Sequence, residues 1–192
     1  MHAILDEGII AHVAVVTDHG PVVLPMAYGR IGVTLYLHGA QANALLRAGE
    51  RGVCVTVTLV DGLVLARSAM HHSANFRVVT AFGSLRHVTD AEEAVAALAA
   101  IVNHAIPGRS ADCRPPSPSE LRATRVVALE LGECSAKVRF GGPVEDDIDL
   151  EAPYWSGVIP LAQTAAPPIT ADLPAGGGPV PASVQAFAGG RA

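Results

Sequence analysis

Short apolar runs, separated by turn-forming residues, make up most of the chain. Residues 12–17 read HVAVVT and residues 22–28 read VVLPMAY, with the turn sequence DHGP between them. Runs rich in Val and Thr that are bounded by Gly, Pro and Asp are typical of β-strands. The pattern therefore predicts two strands joined by a turn at residues 18–21.

Six further runs of the same kind predict the remaining strands. They are VTLYLH (33–38), GVCVTVTLV (52–60), LVLAR (63–67), NFRVVTAFGSLRHV (75–88), TRVVALELG (124–132) and SAKVRF (135–140). The dipeptide Asp61-Gly62 is a strong turn signal, and it predicts a turn between the fourth strand and the fifth.

Helical patterns are fewer and shorter. Residues 2–10 predict a short helical lead-in, and a second helix is expected from Gly39 to Ala48, directly after a strand. Thr89-Asp90-Ala91-Glu92 predicts a capping box, and the helix after it is expected to bury Val95, Leu98 and Val102 and to end at Pro107-Gly108. Residues 117–120 (SPSE) predict the cap of one more short helix.

Strands thus dominate, which favours an antiparallel barrel or sandwich closed over a helix and argues against a parallel βαβ sheet. From about Pro160 the chain is rich in Pro, Ala and Gly. We therefore expect one domain over residues 1–162 and an irregular tail over residues 163–192.

Composition excludes several classes of function. Half of the 192 residues are apolar, 16% are charged and the net charge is −5, which fits a packed domain and not a nucleic-acid-binding surface. No apolar run reaches the about 18 residues that a membrane span requires. The three cysteines lack zinc-site spacing and no secretory leader is seen, so we expect a reducing, cytoplasmic location. No GxGxxG sequence or P-loop is present to predict a Rossmann or kinase-type nucleotide site.

The first candidate for chemistry is LYLHGAQANALLR, residues 35–47. A strand is predicted to end at His38, Gly39 permits a sharp turn, and a helix is expected to begin near Ala40. Free N–H groups at a helix N-terminus suit a phosphate, and Asn43 adds a side-chain donor. Strand–Gly–helix junctions are also common without any ligand, so the pattern leaves a purely structural role open.

The second candidate is VVLPMAYGR, residues 22–30. Pro25 cannot donate a hydrogen bond to a neighbouring strand, so it predicts a sheet edge or a bulge. The backbone of Met26, Ala27 and Tyr28 would then be free to contact a flat heteroaromatic ring. An ordinary edge strand is the alternative.

The third candidate is the polar stretch ARSAMHHSANFRVV, residues 66–79. In an extended chain His71 and His72 diverge, and no Asp, Glu or Cys lies nearby in sequence, which argues against a metal site. A hydrogen-bonded structural turn is the alternative to a ligand site. Near the C-terminus, Lys137 (the only lysine) and Trp155 (the only tryptophan) form a fourth candidate, where a barrel-closing role for the tryptophan is equally open.

Taken in order, these motifs resemble the flavin-nucleotide-binding proteins of the pyridoxamine 5′-phosphate oxidase-like superfamily, and more closely its nitroimidazole reductase-like branch. The resemblance covers roughly residues 4–162, and LVDGLVLARSAMHHSANFR is its most specific part. It implies a mainly β fold, a six-stranded antiparallel Greek-key split barrel, that works as a homodimer with FMN at the subunit interface.

The resemblance also implies positions for the cofactor. Pro25, Met26, Ala27 and Tyr28 would line the isoalloxazine ring through their backbone, and His38, Gly39, Ala40 and Asn43 would lie by the phosphate. Arg67, Ser68, Ser73, Asn75 and Phe76 would complete the site, with Lys137 and Trp155 from the other subunit. Phe76 stands where relatives commonly have Tyr, and Ala40 replaces a frequent Ser.

The function implied is transfer of electrons from NAD(P)H through FMN to a small electron-poor acceptor, with His72 as the expected proton donor and His71 as the alternative. The C-terminal segment of true pyridoxamine phosphate oxidases is not seen, so vitamin B6 oxidation is not expected. Two alternatives stay open. One is an FMN-binding or sensor module without turnover, and the other is a split barrel that binds a deazaflavin or a haem ligated by His38, His71 or His72.

Overall fold

The computed structural model describes residues 1–171 and 178–189. Nine strands are present in this part of the chain: β1 (Ile10–Thr17), β2 (Gly20–Ile31), β3 (Thr34–Ala40), β4 (Val53–Leu65), β5 (Ser73–Gly83), β6 (Arg86–His87), β7 (Thr124–Glu130), β8 (Glu133–Arg139) and β9 (Gly157–Pro160). The α-helices are α1 (His2–Glu7), α2 (Ala44–Ala48), α3 (Ala91–Ala105), α4 (Pro118–Ala123) and α5 (Ala182–Ala188). Short 3₁₀ turns occupy Ala69–His71, Arg109–Asp112 and Asp147–Asp149.

The strands form one curled antiparallel sheet in the order β6-β7-β3-β2-β1-β4-β5-β8, with β9 added beside β4. The long strand β2 joins the two halves, because its residues 20–27 pair with β1 and its residues 28–31 pair with β3. This confirms the predicted mainly β split barrel. The described residues contain nine strands and not six: β6 and β9 are short additions to the sheet, and seven longer strands remain.

Alternation along the strands buries one face of the sheet. Val13, Val55 and Val79 stand on neighbouring strands and are each at most 2% exposed. The helix α2 closes the end of this interior with Leu45 and Leu46, which belong to the same core. A second hydrophobic core lies on the other side of β3 and β7, where α3 packs against these strands.

Three predicted elements differ in the structure. The prediction of a turn at Asp61-Gly62 is wrong, because β4 continues through these residues with a bulge. The strands β5 and β9 flank β4 here, and Arg77 pairs with the Asp61 carboxylate. The helix expected from Gly39 begins only at Ala44, since β7 keeps the chain extended as far as Ala40. The run 75–88 divides at Gly83 into β5 and β6, which pair with different strands.

The helix α3 also differs from its prediction. Its N-cap is Asp90, whose side chain accepts a hydrogen bond from the Glu93 N–H, and not Thr89. Its buried residues are Ala97 and Ile101, whereas Val95 and Val102 are exposed. The capping box of α4 is confirmed, and α1 agrees with the predicted lead-in.

Part of the predicted tail is helical, because α5 lies within it. Residues 172–177 and 190–192 of that tail lie outside the described residues. Within the described part of the chain, the helices are all too short or too polar to cross a bilayer.

Candidate functional site

The sheet splits open between β2 and β3. The two strands pair only from Tyr28 and Leu37 onward, so residues 20–27 of β2 have β1 on one side and no strand on the other. In the same way, residues 38–40 of β3 pair with β7 alone. Two unpaired strand edges therefore face each other, and they carry the backbone of Pro25–Ala27 and of His38–Ala40. The edge position predicted for Pro25 is confirmed.

The turn after β3 is tightly hydrogen-bonded. The Asn43 N–H donates to the Ala40 carbonyl at 2.8 Å, and the Asn43 Oδ1 accepts from the N–H groups of Leu45 and Leu46 at 3.0 and 3.2 Å. The prediction of free N–H groups at a helix that starts near Ala40 is therefore wrong, because the Asn43 side chain caps the first N–H groups of α2. The Asn43 Nδ2 lies close to Gly39, since a Cβ added at Gly39 would be only 2.8 Å from this nitrogen.

One cation beside this turn was not predicted. Arg125 stands opposite Gly39 in the β3–β7 register and forms an ion pair with Glu50, just after α2. Its Nε is buried and has no hydrogen-bond partner among the described residues. His38 is exposed, and partial desolvation by its neighbours lowers its pKa below the usual range. A positively charged His38 is therefore disfavoured.

Tyr28 does not line the split with its side chain. It is fully buried, its hydroxyl donates to the carbonyls of Leu5 and Gly8 at 2.5 and 3.0 Å, and its ring packs against His104. These contacts fix α1 and α3 to the sheet. The buried side chain is compatible with the prediction for Tyr28, which is of contact through the backbone, and that contact stays a prediction.

The polar stretch at residues 67–76 forms a second region. We call residues 68–72 of this stretch the histidine turn. The Ser68 carbonyl accepts from the His71 N–H at 3.2 Å and from the His72 Nδ1 at 3.1 Å. The His71 Nε2 donates to the Asp146 carboxylate at 2.9 Å. His72 itself is exposed. The two adjacent histidines therefore have different partners and different accessibility.

Neighbouring strands support this turn. The Asn75 Oδ1 accepts from Arg139 at 2.8 Å, and its Nδ2 donates to the Gly141 carbonyl at 3.1 Å. The Lys137 ammonium lies 5.8 Å from the centre of the Phe76 ring in the same chain, a cation–π arrangement. Ser73 begins β5 and is exposed.

Arg67 and Trp155 flank the same turn. The Arg67 N–H donates to the Glu145 carboxylate at 3.0 Å, and the Nε of Arg67 is buried without a partner among residues 1–171 and 178–189. The Trp155 ring packs against Gly157, which pairs with Leu65 at the end of β4. Trp155 remains 67% exposed, so it does not plug the barrel of its own chain.

One chain does not bring all the predicted site residues together. Residues 38–43 lie at the end of the sheet where β4 begins, whereas residues 67–75 lie at the end where β4 finishes, because β3 and β4 run in opposite directions. The predicted residues form two groups, one at the split and one at the histidine turn.

The residues missed by the sequence prediction are mostly carboxylates and their partners. They are Glu50, Arg125, Glu145, Asp146 and Asp149. The donor atoms of His71, Asp146 and Asp149 lie within 4.8 Å of one another, so two carboxylates that are distant in sequence stand beside His71, which the residues adjacent in sequence did not predict. The Asp146 contact spans 75 positions, and the run VEDDID gave no signal beyond its charge.

Comparison with known proteins identifies relatives of this fold. A family model for pyridoxamine 5′-phosphate oxidase matches residues 1–138. The flavocytochrome Anf3 from Azotobacter vinelandii is 38% identical with a TM-score of 0.89, and the match covers 97% of this chain and 87% of that chain. The FAD and haem binding protein from Mycobacterium smegmatis is 37% identical with a TM-score of 0.89, covering 96% of this chain and 91% of that chain.

A more distant structure shares the fold alone. It is a protein from Bacteroides thetaiotaomicron described in terms of 5-nitroimidazole antibiotic resistance, with 24% identity, a TM-score of 0.59 and coverage of 70% of this chain and 80% of that chain. Among curated proteins, no match is found. The family model covers well over half of the chain, and the two similar structures extend over nearly all of it. The protein therefore belongs to the pyridoxamine 5′-phosphate oxidase family.

Proposed function

We propose that this protein is a flavin-dependent oxidoreductase that binds the flavin at the split between β2 and β3. The observation that carries the proposal is the pair of unpaired strand edges, Pro25–Ala27 and His38–Ala40, that face each other there. Backbone N–H and C=O groups without strand partners are suited to bind the polar edge of a planar ring. The two similar structures, one a flavocytochrome and one an FAD and haem binding protein, support this choice of ligand.

The residues present fit a flavin nucleotide. Beside the split, the Arg125 Nε is a buried donor without a described partner, and the Asn43 Nδ2 lies at the turn. Such donors suit the phosphate of the nucleotide. A bound flavin would supply two-electron transfer, while the chain holds and orients it. The sequence resemblance implies FMN, whereas one similar structure is described as binding FAD, so the released flavin decides between them.

A second copy of the chain is expected to complete the site. The split and the histidine turn lie at opposite ends of the sheet, and a twofold dimer can place one copy's turn near the other copy's split. The uncovered face of the sheet carries exposed Val16, Val23, Val60 and Phe82. Exposed apolar clusters of this kind are typical of protein interfaces. We therefore retain the homodimer as part of the proposal.

Haem is the second cofactor that a specific observation favours. The Nδ1 of His72 donates to the Ser68 carbonyl, so its Nε2 carries the lone pair, and His72 is exposed. Met70 and Trp155, both strongly exposed, offer apolar surface to a porphyrin. Of the two roles predicted for His72, a ligand to the iron of a bound haem therefore fits better than a proton donor. A bound haem would supply one-electron transfer.

The experiment starts from the purified protein. Its absorption spectrum and the masses of molecules released on denaturation identify the flavin, and haem is titrated into protein that lacks it. We expect absorbance at about 450 nm, typical of a flavin, and a Soret band on haem addition. Anaerobic reduction by NADH or NADPH, followed by reoxidation with quinones or nitroaromatics, tests turnover.

Each outcome separates the alternatives. A colourless protein that takes up neither FMN nor FAD would contradict the flavin proposal. Tight flavin binding without any redox cycle would favour the sensor module. Light scattering that shows a flavin-loaded monomer would contradict the dimer.

A further inference from the structure

A strap formed by residues 140–149 holds the histidine turn from the outside. It leaves the end of β8 and contacts the neighbourhood of the turn at three places. The Gly141 carbonyl accepts from Asn75, the Glu145 carboxylate accepts from Arg67, and the Asp146 carboxylate accepts from His71. We call this segment the carboxylate strap.

The Glu145 contact fixes the chain just before the turn. Its carboxylate accepts from the Arg67 N–H at 3.0 and 3.2 Å, and it lies 3.4 Å from the Arg67 Nη1. The side chain of Glu145 is only 7% exposed. A buried carboxylate is unfavourable unless it is hydrogen-bonded, so this contact is a specific anchor for the backbone of Arg67.

The Asp146 contact distinguishes the two histidines. It occupies the Nε2 of His71, which is the ring nitrogen farthest from the backbone. The other ring nitrogen of His71, Nδ1, is bonded to Cγ and lies nearer the main chain, so it is the less accessible of the two nitrogens. No described residue hydrogen-bonds to the Nε2 of His72. Asp146 thus leaves one outward-facing imidazole nitrogen on this turn.

We propose that Asp146 is a positioning residue that selects His72 over His71 as the haem ligand, with Glu145 holding the turn in register. The proposal rests on the haem binding proposed above. Without the Asp146 carboxylate, the Nε2 of His71 is released, and both histidines compete for the iron. A merely structural role for Asp146 would loosen the turn without changing which histidine ligates.

The test is a suppressor experiment on the full-length protein. Haemin is titrated into the wild type and into Asp146→Ala, His72→Ala and the double variant His72→Ala/Asp146→Ala. Alanine is used because an asparagine oxygen could still accept the hydrogen bond from His71. Absorption and electron paramagnetic resonance spectra report the iron ligand. We expect His72→Ala to lose haem affinity by at least about tenfold and the double variant to regain most of it, because His71 is then free to bind. The single variant Asp146→Ala should show a mixture of two ligand states.

Asp147→Ala is the matched control, since Asp147 is an exposed neighbour on the same strap. It should behave like the wild type in every titration. The proposal is overturned if the double variant binds haem no better than His72→Ala, or if Asp147→Ala gives the same spectra as Asp146→Ala.

Hydrogen exchange on the haem-free protein distinguishes failure of the proposed role of Asp146 from failure of the proposed haem binding. Faster amide exchange of residues 69–72 in Asp146→Ala than in Asp147→Ala supports the role of the carboxylate strap in holding the histidine turn. Equal exchange in the two variants contradicts that role. A wild type without any Soret band overturns haem binding, and ligand selection with it, even where the exchange data support the role of the carboxylate strap.

Discussion

The interior of the barrel and the histidine turn are held together in different ways. The interior consists of Val and Leu side chains from strands and from α2, each buried by its neighbours along a regular alternation. The turn is held by single polar contacts, such as His71–Asp146 and Arg67–Glu145, that join residues far apart in sequence. The interior therefore determines whether the chain folds, whereas the polar contacts determine where particular nitrogen and oxygen atoms lie.

The largest expected effect comes from the interior. Leu46 of α2 is fully buried, and Leu46→Ala should lower the free energy of unfolding by about 2–5 kcal/mol, because it removes apolar contacts and leaves a cavity. Denaturant unfolding followed by circular dichroism measures the change. The matched control is Leu150→Ala, since Leu150 is 55% exposed and its loss should cost less than about 0.5 kcal/mol. Equal losses in the two variants would contradict this account of the interior.

An intermediate effect is expected where the interior meets the split. A Cβ at Gly39 would lie 2.8 Å from the Asn43 Nδ2 and 3.1 Å from the Leu46 side chain. Gly39→Ala should therefore displace Asn43, lower the free energy of unfolding by about 1–3 kcal/mol, and weaken flavin binding. Fluorescence titration with FMN and FAD measures the binding. Gly132→Ala, which has open space around its Cβ, should leave both quantities unchanged.

The smallest effect concerns an ion pair outside both regions. Arg86, and a hydrogen bond from the Tyr36 hydroxyl, hold the pKa of Glu93 below its usual range. The pair therefore stabilises the fold above the ordinary glutamate pKa, and this stabilisation is lost as the pH falls through the lowered value. Because Arg86 is half exposed, we expect less than about 1 kcal/mol.

Glu93→Gln should remove this part of the pH dependence. Thermal unfolding of both proteins between about pH 5 and about pH 3 should show a steeper loss of stability in the wild type. Glu92→Gln, one position earlier on α3 and exposed, is the control. Parallel curves for wild type and Glu93→Gln would refute the contribution of the pair.

Much of the fold could be predicted from the sequence because it depends on local patterns. Alternation of apolar residues located most strands, and the SPSE sequence located the cap of α4. The errors arose where tertiary pairing overrides a local signal. Asp61-Gly62 lies inside a strand because Arg77 and two flanking strands support it, and Gly39 stays extended because β7 pairs with it.

The alternating apolar strands, the cap of α4 and the family could be inferred from the order of residues alone, because they depend on neighbours in sequence and on motif order. The assembled fold was needed to show that the edges of β2 and β3 open into a split, that Arg125 stands beside it, and that Asp146 pairs with His71 and leaves His72 outward. Strand register and contacts between distant side chains cannot be inferred from local residue spacing, since they arise only when the whole sheet is assembled.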